Sequence, residues 1–346
     1  MTFKNNAHMA IGYWNFQHKL KADVPYVVFD KFFSPSGELQ DTFVIRELKE
    51  EIPLYQGEDL SGKSLLFTSM GGYGDGLSLI QAINTLKHKY PSAQIDLMVH
   101  LDMFFFLRQF SFQGDWVEYP VSLDYLKRYD YLQTSERLYN VENYYRKNVA
   151  RMFCDLLHVP LDLNHSTFRP TRVANALNLG ASEKKRVALQ VDALTGDKRC
   201  YPVHLIKELA ELLSGNDLEV YLVGLHKGLF FFQNGGKIYN FVNRLSTVTD
   251  LAGLLSQMDG IIAPDSVGGH LGGLMNIPTI ALFNVTGIDK MDHYPSVYGM
   301  QSELPCSPCY QLYKCPLGYE NCKAMEHASV SPAQVMNKIR EVIRLR

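Results

Sequence analysis

The stretch Leu251–Thr286, LAGLLSQMDGIIAPDSVGGHLGGLMNIPTIALFNVT, constrains the fold more than any other part of the chain. Leu251–Met258 carries apolar residues at helical spacing, and Gly260–Ala263 is a short apolar run of strand length. Pro264-Asp265-Ser266-Val267-Gly268-Gly269 is a turn, in which Asp265 or Ser266 is placed to cap a helix from about Gly268 to Met275. Pro278–Phe283 is then a second buried strand. A strand that feeds a glycine-rich turn at a helix N-terminus is a ready anion site, because unpaired N–H groups and the helix dipole point to one spot. The same turn also serves as a plain strand-to-helix connection, so the rest of the chain has to decide between the two.

The alternation extends well beyond this stretch. Ser64–Met70 is a buried strand, followed by the glycine-dense turn Gly71-Gly72-Tyr73-Gly74-Asp75-Gly76, a helix over Leu77–Lys89 and a strand at Gln94–His100. This is a βαβ unit, which requires a right-handed crossover and a parallel sheet. Trp116–Tyr119 and Tyr129–Gln133 read as short strands, and Tyr139–His158 as a long helix. A second series follows: strand Arg186–Val191, helix Pro202–Leu213, strand Glu219–Gly224, a short strand near Ile238–Val242, and then the opening stretch. The expected fold is therefore α/β, with two Rossmann-like doubly wound parallel-sheet domains facing across a cleft. Residues 1–60 are expected to be an N-terminal extension and 61–178 the first domain. Residues 179–330 form the second, with a Cys-rich loop at 305–322. A C-terminal helix at 331–346 is free to pack back on the first domain.

A length of 346 residues suits two domains. Thirty-four basic against thirty-six acidic residues give a formal charge of −2, which provides no basis for nucleic-acid binding. No apolar run approaches the ~20 residues that span a bilayer, and the first residues lack the apolar core of a signal peptide. The expected compartment is the cytoplasm, with the inner face of the membrane as a further option. The aromatic runs Met103–Phe106 and Phe110–Phe112 are read as core, with a lipid-facing patch as the alternative.

Three groups of residues could carry chemistry. Asp75 sits among glycines after a strand, where its carboxylate is either a general base for a hydroxyl or a helix cap. Gly71, Gly72, Gly74 and Gly76 would let a substrate approach the backbone closely. In Ala193–Pro202, Thr195 and Lys198 or Arg199 lie at the C-terminal edge of the second sheet, where a cation and a hydroxyl can hold phosphate. His270 follows in the first turn of the helix after Ser266, as a packed side chain or a donor contact. Neither a G-x-G-x-x-G fingerprint with its ribose-binding acid nor a P-loop is present, which argues against a dehydrogenase or epimerase. Finally, Cys306, Cys309, Cys315 and Cys322 could close an S₄ site for structural zinc or iron, or remain free thiols or local disulfides.

Gly74-Asp75-Gly76, the Lys198 loop, PDSVGGHLGGLMNIPTIALF and CSPCYQLYKCP together resemble the heptosyltransferase type of glycosyltransferase, family nine, with the GT-B fold. The resemblance implies an inverting transfer of a sugar, by family default heptose from ADP-heptose, to a glycan, a glycolipid such as a lipopolysaccharide core, or a glycoprotein. It implies Asp75 as the catalytic base and Gly72, Gly74 and Gly76 on the acceptor side. It further implies Lys198 on the donor diphosphate with Thr195 beside it, and Asp265, Ser266, Val267, Gly268, Gly269 and His270 as the donor-binding turn. No cofactor is required for such chemistry, while a related subset that modifies autotransporter proteins holds iron on four cysteines. The sequence departs from the family pattern at Val267, where glycine is usual, and at Cys200-Tyr201-Pro202, where Trp-Pro is usual. Gly224-Leu225-His226-Lys227 shows no evident donor-contacting acid. A non-catalytic nucleotide-sugar-binding protein on the same fold is the remaining alternative.

Overall fold

A computed structural model describes residues 2–4, 9–13, 16–20, 25–27, 52–69, 71–99, 101–110, 112, 114–118, 121–135, 138, 146–162, 179–193, 199–225, 236–310 and 330–344. The chain divides into two compact units. The first comprises Met1–Arg108, Phe112–Val141 and Ala150–Ser166, and the second Gln109–Ser111, Glu142–Val149 and Thr167–Arg346.

In the N-terminal unit, β1 (Thr2–Lys4) and β4 (Pro25–Val27) pair antiparallel, and β2 (Met9–Tyr13) and β3 (Phe16–Leu20) form a separate antiparallel pair. The regular part begins with β5 (Ser64–Ser69), followed by α1 (Tyr73–Lys89) and β6 (Gln94–Val99). Next come α2 (Leu101–Leu107), β7 (Trp116–Glu118), β8 (Val121–Ser122), the one-turn α3 (Leu123–Leu126), β9 (Tyr131–Thr134) and α4 (Val149–Leu156). The main sheet is parallel, in the order β7-β6-β5-β9. β8 pairs antiparallel with β4, so the residues read as an extension contribute a strand to a sheet of this unit.

β5 and β6 are legible because both faces of a parallel strand are covered, which selects continuous apolar runs. Their patterns are one outer residue followed by five buried ones. α1 buries Leu77, Leu79, Ile80, Ile83 and Leu86; each such side chain contributes about 1.5–3 kcal/mol on burial. It ends where Tyr90 N–H bonds back to Leu86 O and Pro91 follows. Its start differs from the expectation: it begins at Tyr73, so the glycine-rich turn is its first turn. Met103 and Phe106 are buried in this unit and Phe105 is half exposed at 51%, while Phe110, also buried, belongs to the second unit. Of the expected helix Tyr139–His158, residues 146–158 are described, and only Val149–Leu156 (α4) is α-helix: Arg146–Asn148 before it are not, so the helix is shorter than expected.

The C-terminal unit is a six-stranded parallel sheet. In chain order its elements are β10 (Arg186–Gln190), α5 (Val203–Gly215), β11 (Glu219–Val223), β12 (Ile238–Asn240), α6 (Val248–Leu255) and β13 (Gly260–Pro264). They continue with α7 (Val267–Leu274), β14 (Thr279–Phe283), β15 (Val297–Gln301) and α8 (Pro332–Val342). The strand order is β12-β11-β10-β13-β14-β15. The chain therefore winds outward from β10 in one direction, then returns to β13 and winds in the other. Open α/β sheets bind their ligands at the C-terminal ends of the strands flanking this reversal.

Local signals set the helix boundaries here. Thr247 Oγ1 accepts from Asp250 N–H while the Asp250 carboxylate accepts from Thr247 N–H, a reciprocal cap for α6. Ser331 and Gln334 form the same device at α8, with Pro332 in the first turn. Val335, Met336 and Ile339 of α8 lie in the core of the C-terminal unit beside Leu209, Leu213 and Ile280. Gly260 makes this packing possible, since a Cβ there would lie 2.8 Å from Ile343 Cγ2.

Candidate active site

In the C-terminal unit the reversal lies between β10 and β13. Gln190 ends β10, and Asp265 and Ser266 follow β13 directly. Asp265 is buried, at 6% exposure. Its Oδ2 accepts from Thr286 Oγ1 at 2.6 Å and from Arg199 Nη1 at 3.3 Å. Burial alone would raise its pKa; the charges of Arg199 and Lys290, the Thr286 hydroxyl and the nearby His270 outweigh burial and lower it. Asp265 is thus a fixed anion ringed by cations, which makes it a poor proton acceptor and a good organiser of charge.

The next residue departs from the sequence reading. Ser266 occupies the N-cap position of α7, yet neither its side chain nor that of Asp265 caps the helix. Ser266 Oγ instead donates to Gln190 Oε1 at 2.9 Å, while Gln190 Nε2 donates to Asp192 O at 2.9 Å. The Asp265 carboxylate is engaged through Oδ2 by Arg199 and Thr286.

The glycines of α7 have neighbours that leave no space for a side chain. A Cβ on Gly268 would lie 2.0 Å from Gln190 Oε1, and one on Gly269 2.7 Å from Met291 Sδ. At Gly272 it would meet Thr279 Oγ1 at 2.0 Å, and at Gly273 Tyr294 Cγ at 2.3 Å. The GGHLGG run therefore lets α7 approach its sheet and the segment after β14 very closely. His270 is buried in this packing, its Nδ1 3.2 Å from Tyr294 Oη and the two rings edge to face at 5.8 Å. Val267, where the family pattern has glycine, opens α7 and is half-buried.

In the N-terminal unit, β5 lies between β6 and β9, and the turn after it leads straight into α1. Asp75 is in the first turn of α1, half-buried, and its Oδ2 accepts from Gly72 N–H at 3.0 Å. A carboxylate at this position gains from the helix dipole as well. Gly72 is exposed, and a Cβ there would meet nothing nearer than Asp75 Oδ2 at 3.9 Å. Gly76 is buried, with Met103 Sδ 2.7 Å from a Cβ placed on it. Gly74 is half-buried within the same turn.

Thr195, Lys198, Cys315 and Cys322 lie outside the described residues. Of the cysteine set, Cys306 is exposed and Cys309 half-buried, both as free thiols. The start of their loop is tied to the end of β14 through Ser307 Oγ to Asn284 O and Tyr310 N–H to Val285 O. Among the described residues no group of three His, Cys, Asp or Glu side chains is arranged to hold a metal ion.

Two residues singled out in the sequence, Asp265 and Arg199, meet in the structure. Sequence reasoning missed Gln190, Thr286, Lys290 and Tyr294, which surround that acid and the helix after it. The available signal was topological: each of these residues lies beyond, or at, the C-terminal end of a strand next to β13 or one strand removed.

The sequence model of glycosyltransferase family 9 (heptosyltransferase) matches residues 121–318, more than half of the chain. That span holds the Asp265 cluster; Asp75 precedes it. No curated protein sequence matches the chain. Solved structures do match. The ADP-heptose lps heptosyltransferase II of E. coli is 14% identical with a TM-score of 0.60, covering 81% of this chain and 98% of that one. The iron-containing dodecameric glycosyltransferase TibC of enterotoxigenic E. coli H10407 is 12% identical with a TM-score of 0.63, covering 83% and 78%. E. coli heptosyltransferase WaaC with ADP is 11% identical with a TM-score of 0.57, covering 81% and 99%. At these identities the likeness is one of fold, the GT-B arrangement of parallel-sheet α/β units. The chain belongs to glycosyltransferase family 9, the heptosyltransferase family.

Proposed function

We propose that this glycosyltransferase moves a heptose from ADP-heptose to a hydroxyl of a glycan, glycolipid or glycoprotein, with inversion at the anomeric carbon. The donor binds on the C-terminal unit and the acceptor on the N-terminal unit. The observation that carries the reading is the buried Asp265, held by Arg199 and Thr286 beside the N-terminus of α7 at the reversal of the C-terminal sheet. Anionic ligands are favoured at such a helix end. The sequence family also supports it, as do the solved relatives described with ADP or with ADP-D-beta-D-heptose.

In this mechanism Asp75 takes the proton of the acceptor hydroxyl as its oxygen attacks the anomeric carbon. The bond from that carbon to the diphosphate oxygen breaks, and the leaving nucleoside diphosphate carries away the electron pair. The N–H groups and dipole of α7, with Lys198, stabilise the leaving charge, so the chemistry needs no metal. Asp265, Ser266, Val267, Gly268, Gly269 and His270 form the donor turn. Thr195 accompanies Lys198, and on the acceptor-side turn of Gly72, Gly74 and Gly76 it is the exposed Gly72 that gives the acceptor room, Gly76 being packed against Met103. Assigning the base to Asp75 rather than Asp265 follows from their environments, since Asp265 is locked in an ion pair and its pKa is lowered.

Cys306, Cys309, Cys315 and Cys322 are proposed as a closed structural site for zinc or iron, which elemental analysis of the purified protein would detect as about one metal per chain. No helix of the described residues is long and apolar enough to cross a membrane. The activity itself is tested by incubating the protein with ADP-heptose and following ADP release. Release above the uncatalysed rate is expected; none from ADP-heptose, with or without glycan acceptors, would reject the assignment of donor.

A further inference from the structure

The segment that follows β14 packs on the donor helix along much of its length. Met291 fills the space beside Gly269, Tyr294 lies against Gly273, and the Tyr294 hydroxyl reaches His270 Nδ1 at 3.2 Å. The His293 ring lies against that of Tyr294, with centroids 3.8 Å apart and the planes tilted by 38°. Whatever fixes this segment therefore fixes one wall of the donor turn.

The fastening comes from a residue far away in sequence. Asn148 is buried, at 5% exposure, and belongs to the C-terminal unit through the segment Glu142–Val149. Its side-chain Nδ2 is 3.0 Å from Asp289 O, 2.9 Å from Asp292 Oδ1 and 2.8 Å from His293 Nδ1. An amide has two N–H protons, so three acceptors within reach make a shared set that holds backbone, carboxylate and imidazole at once. The three partners span Asp289 to His293, so one side chain gathers the segment just before Tyr294. Removing it would break all three contacts at once, the one to the buried His293 among them.

We propose that Asn148 is a positioning residue for the donor site: by pinning Asp289–His293, it sets Tyr294 and Met291 against α7, and through them the His270 side of the donor turn. This rests on the donor reading given above. Lys290 lies within the pinned segment and is buried close enough to Asp265 to influence its charge, so the same fastening holds a cation at the site.

The test is titration calorimetry of ADP on the full chain, with ADP release from ADP-heptose as the kinetic readout. Asn148→Ala is expected to weaken ADP about tenfold and to raise KM for ADP-heptose while kcat stays within about twofold, the pattern of lost ground-state binding. A purely structural tie would lower the melting temperature without that split. An ADP affinity within twofold of wild type in the folded variant, or a loss confined to kcat, would overturn the proposal. Should Asn148→Ala fail to fold, Tyr294→Phe decides. It removes one hydroxyl from the wall and is expected to weaken ADP about threefold; unchanged affinity would overturn the role assigned to this segment. Wild-type protein that binds none of ADP, UDP and GDP would instead reject the donor reading, and this inference with it.

Discussion

At the end of β5 the chain turns through Gly71–Gly76 into α1; at the end of β13 it turns through Pro264–Gly269 into α7. Both junctions are strand, glycine-rich turn and helix, and both put an aspartate near the start of the helix. Their surroundings differ. Asp265 is buried and gripped by Arg199 and Thr286, and the glycines after it are filled against by Gln190, Met291, Thr279 and Tyr294. Asp75 is half-buried on its own turn, and Gly72 beside it has open space around the position of a Cβ. The same sequence device thus yields a rigid charged frame in one unit and a turn with room beside an acid in the other.

The sharpest way to break this comparison is Asp75→Asn. If the open turn supplies the base, kcat falls by about 10²–10⁴-fold, the usual worth of a general base, with ADP affinity unchanged in calorimetry. The same change weakens the N-terminal electrostatics of α1, so a stability cost of about 0.3–1 kcal/mol accompanies it. Turnover retained in Asp75→Asn would remove the base assignment and leave the residue a helix cap.

The glycines provide the next test. Gly268→Ala drives a Cβ into the end of the Gln190 side chain, displacing it from Ser266, and is expected to cost about 1–3 kcal/mol in denaturant unfolding. Gly72→Ala, at φ −75° with open space around it, is expected to stay within about 1 kcal/mol of wild type and to favour the folded state if anything. Equal costs at the two positions would show that the turns are not built differently.

The ion pair provides a further test. Asp265 has its pKa lowered in the folded protein, so its contribution to stability is fully present above the unfolded carboxylate value of about 3.9 and is lost as pH falls through the lower folded value. Arg199→Met removes the largest source of that lowering and is expected to cost about 1.5–3 kcal/mol at neutral pH. It should also flatten the loss of stability on acidification below about pH 4. An acid limb as steep as that of wild type would place the titrating group elsewhere.

Much of this architecture is legible in the chain, and the reasons are local. β5, β6, β10, β11, β13 and β14 appear within a residue or two because doubly covered parallel strands demand continuous apolar runs. β15 was missed: Val297–Gln301 is only partly buried at the edge of its sheet and is interrupted by Gly299, so it has no apolar run. α1 starts four residues earlier than read because Gly74 and Gly76 argue against helix locally, while tertiary packing of Gly76 against Met103 favours it. The aspartates of both turns were visible from their place after a strand. Their partners were not, since Gln190 meets Ser266 across 76 residues and Asn148 meets His293 across 145. Such contacts are made by strand order, and strand order is not written in any window of sequence.

The division of labour between the two turns is most directly tested by titrating ADP into three proteins under identical conditions: wild type, Asp75→Asn and Arg199→Met. Wild type and Asp75→Asn are expected to bind ADP alike and Arg199→Met at least tenfold more weakly. Loss of ADP binding in Asp75→Asn with full retention in Arg199→Met would contradict the assignment of the donor to the Asp265 frame.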